Sequence, residues 1–376
     1  MSIPTSKTLA APAQVGSYKA EDVIFLLKDL SNVSLEKSTE DREEAIQSGT
    51  HYSEMLPVEY QPTPEYIKLF HDTLDHTAEK VAKACAIVSE LILRKRGTNI
   101  ILASLARAGT PIGVLIKRYL KETYGLDVPH YSISIIRGKG IDENAIHYML
   151  QQHPGMEIQF VDGWTGKGAI RKVLIAAKDK LALQGIFLND DLAVLADPGK
   201  CSETFGTQED FLIPSACLNS TVSGLMSRTV LRDDLIGASD FHGAKYYKEW
   251  ESEDLSNLFV DKISAYFHTV SAEAKAQSDI WLHTQPDVAT WQGMQDIQRI
   301  QADYGIRDVN LIKPGVGETT RVLLRRIPWK ILVDHMDNPN LQHILLLAQD
   351  RQVPVEVYPE LTYSCCGIIK PMEGGE

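Results

Sequence analysis

Between Asn99 and Pro198 two patterns alternate, and that alternation limits the fold more than any other feature of the chain. Short β-type runs, NIILAS, HYSISII, MEIQFVD and LAVLAD, are separated by PIGVLIKRYLKETYG, AIHYMLQQH and AIRKVLIAAKDKLALQ, whose apolar residues recur at helical spacing. Strands that alternate with helices predict an α/β fold, a parallel sheet with helices on both faces, and ligands of such sheets bind at the carboxyl ends of the strands.

The flanks have a different texture. From Tyr18 to Glu90 the pattern is helical and polar: EDVIFLLKDL places Val23, Ile24, Leu27 and Leu30 on one face, and EYIKLFHDTLDHTAEKVAKACAIVSELILRK keeps the rhythm. A helical extension over residues 18–90 is predicted ahead of a main domain at 91–285. After Pro286 a helix, the segment KPGVGETTRVLLRR, a strand, a helix and a strand predict a separate small α/β domain at 286–376. The opening MSIPTSKTLAAPAQVGS lacks a charged start and a long apolar run, so residues 1–17 read as a disordered lead rather than a signal peptide.

Charge and cysteine usage narrow the class. With 38 basic against 50 acidic residues the net charge is −12, so any polyanion must be met by a local patch. No run approaches the roughly 20 apolar residues of a membrane span. The five cysteines lack C-x-x-C spacing, which fits a reduced, cytoplasmic protein.

The stretch VDGWTGKGAI, residues 161–170, carries the clearest chemistry. Gly163, Gly166 and Gly168 let backbone amides approach a ligand, and the following helix offers unpaired N–H groups to an anion. Thr165 adds a hydroxyl, Lys167 a charge, and Asp162 an acceptor for sugar hydroxyls. Walker A spacing and G-x-G-x-x-G are both absent. A tight strand-to-helix turn without a ligand is the plainer alternative.

A strand, an acid, then Thr-Gly leading into a helix resembles the phosphoribosyl diphosphate (PRPP) motif of type I phosphoribosyltransferases. The resemblance implies that Asp162 is the catalytic ribose acid, with Gly163 standing where a second acid is expected, and that Thr165, Gly166, Lys167 and Gly168 hold the 5′-phosphate. It implies a pyrophosphate loop at Ser104, Arg107, Ala108 and Gly109, a mobile catalytic loop with Arg137 and Lys139, and Mg²⁺ on the leaving group. Asp197, Cys217, Ser220 and Thr221 would then face a base- or nucleoside-like acceptor.

Over essentially the whole chain GSYKAEDVIFLLKDL, HYSEMLP, SLARAGTPIG, FVDGWTGKGAI and IPSACLNSTVSGLMSRTV resemble the phosphoribosyltransferase-like proteins of bacterial tellurium-resistance and stress operons, a family that also carries the name cysteine protease StiP. Members end in a pelota-type, L7Ae-like RNA-binding domain. The expected function is therefore phosphoribosyl transfer, with RNA, a second copy of the chain and proteins of the same stress operon as partners. In the RNA-binding segment Gly315, Gly317, Glu318 and Arg321 occupy the expected positions, with Gly317 in place of an Asn that reads base edges. Arg321, Arg325, Arg326 and Lys330 keep phosphate contact available. A solvated basic helix face is the plainer reading.

Two other functions stay open. IPSACLNSTVSGL holds Cys217 among small and hydroxylated residues, and DFHGAKYY supplies His242 with Asp240 close by, a nucleophile, base and orienting carboxylate for a cysteine hydrolase. The other is a catalytically inactive nucleotide- or RNA-binding protein.

Overall fold

The computed structural model describes residue 9, residues 11–284 and residues 288–370. Most of the predicted disordered lead, residues 1–8 and 10, lies outside the described residues; near its end Val15 packs on the core and the Ser17 amide donates to Gly224 O at 3.0 Å.

Six parallel strands form the main sheet: β1 (Ile24–Phe25), β2 (Ile100–Leu105), β3 (His130–Ile133), β4 (Glu157–Trp164), β5 (Leu192–Ala196) and β6 (Phe205–Thr207), in the order β1-β3-β2-β4-β5-β6. Alternate residues of β2 serve opposite faces, as the two-residue period of a strand requires. Ile100 and Leu102 enter one apolar cluster, Ile101, Ala103 and Leu105 the other. The first face is covered by α1 (Pro64–Arg96), α2 (Gly109–Tyr124), and by α5 (Ser256–Ser264) and α6 (Phe267–Thr284); the second by α3 (Glu143–Gln152) and α4 (Ala169–Ala182).

The α1 boundaries follow from its sequence. Pro64 fits the first turn, Glu65 faces the positive end, Arg94, Lys95 and Arg96 face the negative end, and Gly97 terminates it at φ +73°. Its Leu74, Ala78, Val81 and Cys85 are buried at three- and four-residue spacing.

EDVIFLLKDL departs from the predicted helix. Ile24–Phe25 pairs in parallel with β3, and Lys28–Asp29 pairs with Gly243–Ala244. Leu26 and Leu27 are both buried but enter opposite clusters, an arrangement that an extended chain produces and a helix does not. The apolar spacing imitated a helix because Phe25, Leu26 and Leu27 are buried in succession on alternating faces, which leaves no polar alternation to mark the extended chain.

The C-terminal unit comprises α7 (Gln292–Tyr304), β7 (Ile312–Pro314), α8 (Val316–Arg325), β8 (Pro328–Val333), α9 (Gln342–Asp350), β9 (Val355–Val357) and β10 (Cys365–Ile369), with strand order β7-β10-β8-β9. Its core is continuous with that of the main sheet: Val316, Leu323, Ile331 and Val333 share one cluster with Phe211, Ile213 and Ala216. The unit is thus packed against the carboxyl edge of the main sheet.

Candidate active-site cleft and its covering domain

A cleft of about 300 Å³ opens at the carboxyl ends of β2 and β4, lined by Arg107, Asp162, Ser215, Asn219, Arg228 and Arg321 among others. The chain can turn there because Gly109 begins α2 against β4: a Cβ at Gly109 would lie 2.6 Å from Val161 O. Arg107 follows β2, donates to Met226 O at 3.0 Å and lies 3.4 Å from Glu59. Arg228 donates to the carbonyls of Tyr52 and Met55, each at 3.3 Å. Burial, together with the nearby Arg42 and Arg107 charges, pulls its pKa down to about 10.

Asp162 lies within β4 rather than after it, and its carboxylate accepts the Gly163 amide at 2.8 Å. Burial pushes its pKa up to about 7. Between the usual carboxyl pKa and that value the folded protein holds a proton that the unfolded chain has released, so this group's contribution to stability falls as pH rises through the window. Asp162→Asn should therefore raise stability by about 1–2 kcal/mol at pH 7.5, discounted for partial exposure, and add nothing near pH 4. Thermal melts at the two pH values check this; equal shifts at both would remove the assignment of Asp162 as a strained, ionisable cleft group.

The turn predicted to cradle phosphate is a joint between the two domains. Lys167 Nζ donates to Val309 O at 2.7 Å and Ile312 O at 3.2 Å, and Gly166 O accepts from Tyr363 OH at 2.9 Å. Thr165 Oγ1 donates to Asp197 at 2.6 Å, and Gly168, in the left-handed region at φ +74°, sits against Trp291 and Cys201. Gly163 packs beside Ala108. Burial, with Lys313 and Arg137 nearby, pulls Lys167 down to about 8. Asp197 accepts also from the Cys201 and Ser202 amides at 2.8 and 3.1 Å, and burial pushes it up to about 6.

The remaining predicted residues are dispersed. Ser104 is buried and bonds His130 at 2.7 Å, beneath the cleft. Ala108 lines the cleft beside Arg107. Arg137 and Lys139 are exposed between the short strands Ile135–Ile136 and Gly140–Ile141, where the Arg137 amide donates to Tyr52 OH at 2.9 Å. Ser220 and Thr221 are buried yet line a neighbouring groove.

The residues expected to read RNA at the start of α8 face inward. Gly315 and Val316 abut Asp210, whose carboxylate accepts the Val316 and Ser364 amides, each at 2.9 Å. Gly317 lies against Ala216, and the space left beside Gly315, Gly317 and Glu318 is about 20 Å³, room for a single water. Glu318 bonds Arg321 at 2.9 Å. The later part of α8 lies on the turn that carries Cys217: Arg321 donates to Ala216 O at 3.1 Å and Arg325 to Cys217 O at 3.2 Å. Lys330 pairs with Glu356 at 2.6 Å.

Cys217 ends a single turn over Pro214–Ala216, and its chain neighbours Ser215 and Leu218 line the cleft. Its thiol is 1 % exposed; burial pushes its pKa up to about 12, against the opposing pull of Arg321 and Arg325. The predicted partners are engaged elsewhere. His242 bonds Ser134 at 2.8 Å and its amide donates to Asp142 at 2.6 Å, while Asp240 pairs with Lys28 at 2.6 Å. Cys217 belongs to the cluster on one sheet face and Phe241, next to His242, to the other. Among the described residues no group of three or more His, Cys, Asp and Glu could hold a metal ion, and no helix is long and apolar enough to cross a membrane.

Comparison with known proteins decides the family. Residues 16–264 match the family described as tellurite-like stress resistance cysteine protease StiP. The chain is also 33% identical over 354 residues to the cysteine protease StiP of Acinetobacter baylyi, covering 91% of this chain and 90% of that one. The chain belongs to the StiP family. Residues 291–371 match the PELOTA RNA binding domain. A solved structure, a NifS-like protein from Rickettsia africae, aligns over 84% of this chain and 93% of that chain at 8% identity with a TM-score of 0.19, too low to bear on the fold.

StiP membership corrects the transferase expectation. The family is described by cysteine protease activity, so phosphoribosyl transfer, with the PRPP and Mg²⁺ it brought, is replaced by the hydrolase that Cys217 had suggested. The joint explains why the sequence misled: Thr165, Gly166 and Lys167 are spent on contacts within and between domains. Sequence reasoning missed Asp210, Arg228, Asn219 and Glu59. Arg228 and Asn219 stood within or beside a stretch already singled out, whereas Asp210 and Glu59 carry no local signal and gain meaning only from distant partners.

Proposed function

We propose that the chain is a thiol-dependent peptide hydrolase with Cys217 as nucleophile, held closed by its docked C-terminal domain, which binds RNA. The observation that carries this reading is the position of the Cys217 turn, with the cleft on one side and Arg321 and Arg325 of α8 fastened to its carbonyls on the other. In the closed form the thiol is buried and protonated, a resting state that withdrawal of α8 would end. Family membership supports hydrolysis, and the match over residues 291–371 supports RNA.

In the open form the Cys217 thiolate attacks a peptide carbonyl, and the tetrahedral oxyanion is stabilised by the cationic groups Arg107 and Arg228 of the main domain. Asp162, poised near neutrality, takes the thiol proton and returns it to the departing amine; water then hydrolyses the thioester. The strand order around β2 and β4 supports a phosphoribosyltransferase-like sheet used as scaffold without its transferase chemistry, and the match over residues 291–371 supports a pelota-like fold for the C-terminal unit. Incubation with fluorogenic peptide pools tests the activity. Asp210→Ala, which loosens the docking of α8, should cleave faster than wild type, with Cys217→Ala in that background at least a hundredfold slower and Asp162→Asn strongly reduced. Equal rates with and without Cys217 in the Asp210→Ala background would overturn the reading.

A further inference from the structure

Beside the cleft, and sharing Arg107, Asn219, Arg228 and Arg321 with it, runs a groove of about 590 Å³ built from three distant parts of the chain: residues 37–66, the 218–228 loop and the second half of α8 with Arg326. Among the described residues, seven Lys and Arg line it against one carboxylate, Glu59, in a chain whose net charge is −12. That carboxylate is already committed, since it accepts the Ser220 amide at 3.2 Å and lies 3.4 Å from Arg107. The lining is therefore rich in cations even with Arg321 paired to Glu318, which a solvated face of an acidic protein does not produce by average composition.

Two further observations call for a polar ligand. Ser220 and Thr221 each show 1 % exposure, yet their hydroxyls have no hydrogen-bond partner although both residues line the groove. Buried hydroxyls are normally paired, and a phosphate oxygen would supply the missing acceptor. Tyr60 is 76 % exposed in the same wall, and Tyr66 lies under the Arg325 guanidinium at 4.7 Å. Cationic groups interleaved with exposed aromatic rings are what a single strand needs, because its phosphates pair with the cations while its bases stack. A duplex keeps its bases stacked inside the helix and offers none to these rings.

The start of α8, where base-edge readout was expected, is closed by Asp210 and Ala216, so the exposed half of the helix is the part left to meet a ligand. The geometry points to a composite site for single-stranded RNA, in which Arg321 and Arg325 of α8 with the following Arg326 form one wall and Lys37, Tyr60, Arg107 and Arg228 of the preceding domain form the other. This inference rests on the RNA-binding reading of the C-terminal domain and adds that the domain does not bind alone. The aromatic rings and the RNA-domain match favour RNA over an acidic peptide, the other polyanion such a groove could take.

Fluorescence anisotropy of a labelled twelve-nucleotide oligouridylate with the full chain tests the site at 50 and 200 mM salt. Lys37→Gln and Arg326→Gln, both exposed, should each weaken binding and lower the log–log salt slope by about 0.7. Tyr60→Ala should weaken it about fivefold or more with little change in slope. A kink-turn RNA should bind no better than the single strand. Binding that responds to Arg326→Gln but not to Lys37→Gln or Tyr60→Ala would keep RNA binding and overturn the composite groove. No binding at 50 mM salt would overturn both readings. Stronger binding of polyglutamate than of RNA would make the occupant an acidic peptide and likewise overturn the proposal. Melting curves confirm that each variant is folded.

Discussion

Asp210→Ala is expected to undock the C-terminal domain. The carboxylate accepts the amides of Val316, at the start of α8, and Ser364, just before β10, and the Asp210 carbonyl accepts the Ser364 hydroxyl at 2.8 Å. Removing the side chain leaves two buried amides without acceptors, at roughly 1–3 kcal/mol each. Relief of a buried carboxyl, whose pKa burial has pushed up to about 7, offsets part of that. A net loss of about 2–4 kcal/mol falls on the interface, because both amides belong to the C-terminal unit. Hydrogen exchange should show α8 amides opening about a hundredfold or more faster, while α3 and α4, on the far face of the sheet, keep their protection. Uniform loss of protection would mean that the two units unfold together and that no separate docking equilibrium exists.

The second large effect is on cysteine chemistry. With a thiol pKa of about 12 and 1 % exposure, Cys217 should react with iodoacetamide at pH 7.5 about a thousandfold more slowly than a free cysteine. In Asp210→Ala the same thiol should label at least a hundredfold faster, since α8 no longer holds the Ala216 and Cys217 carbonyls. Cys85, buried in α1 with its pKa pushed above that of an ordinary thiol by burial alone, is an internal control that should stay slow in both proteins. Labelling is read by mass spectrometry of peptides. Fast labelling of Cys217 in the wild type would show that the closed form is not the resting state, and parallel acceleration of Cys85 would show general unfolding.

The parallel sheet was legible because strands buried on both faces and helices with one apolar face leave opposite periods in the sequence. Asn99–Pro198 carries both cleanly. EDVIFLLKDL was misread for a related physical reason: Phe25, Leu26 and Leu27 are buried in succession on alternating faces and leave no polar alternation, while Val23, Ile24, Leu27 and Leu30 fell by chance at helical intervals. The strand Cys365–Ile369, central to the C-terminal sheet, escaped notice because five residues with one Gly give too short a pattern. At the site, VDGWTGKGAI announced a close backbone approach, and the approach exists; its partner is Tyr363 and the β7 region rather than a phosphate. A short motif records what the backbone can do and leaves open what comes to meet it. Arg107 and Asp162 were found because they lie just past, or near, the carboxyl ends of central strands, where ligands of such a sheet bind. Arg228 and Glu59 could not be found that way, since they reach the cleft and its Arg107 side chain from segments whose own periodicity is weak.

The most direct test is to trap the covalent intermediate. Asp210→Ala protein mixed with an activated acyl ester, quenched in acid within a second and analysed by mass spectrometry, should carry the acyl group as a thioester on Cys217, and Cys217→Ala in the same background should carry none. An acyl group on another residue, or hydrolysis that proceeds unchanged without Cys217, would contradict the assignment of this turn as the catalytic centre.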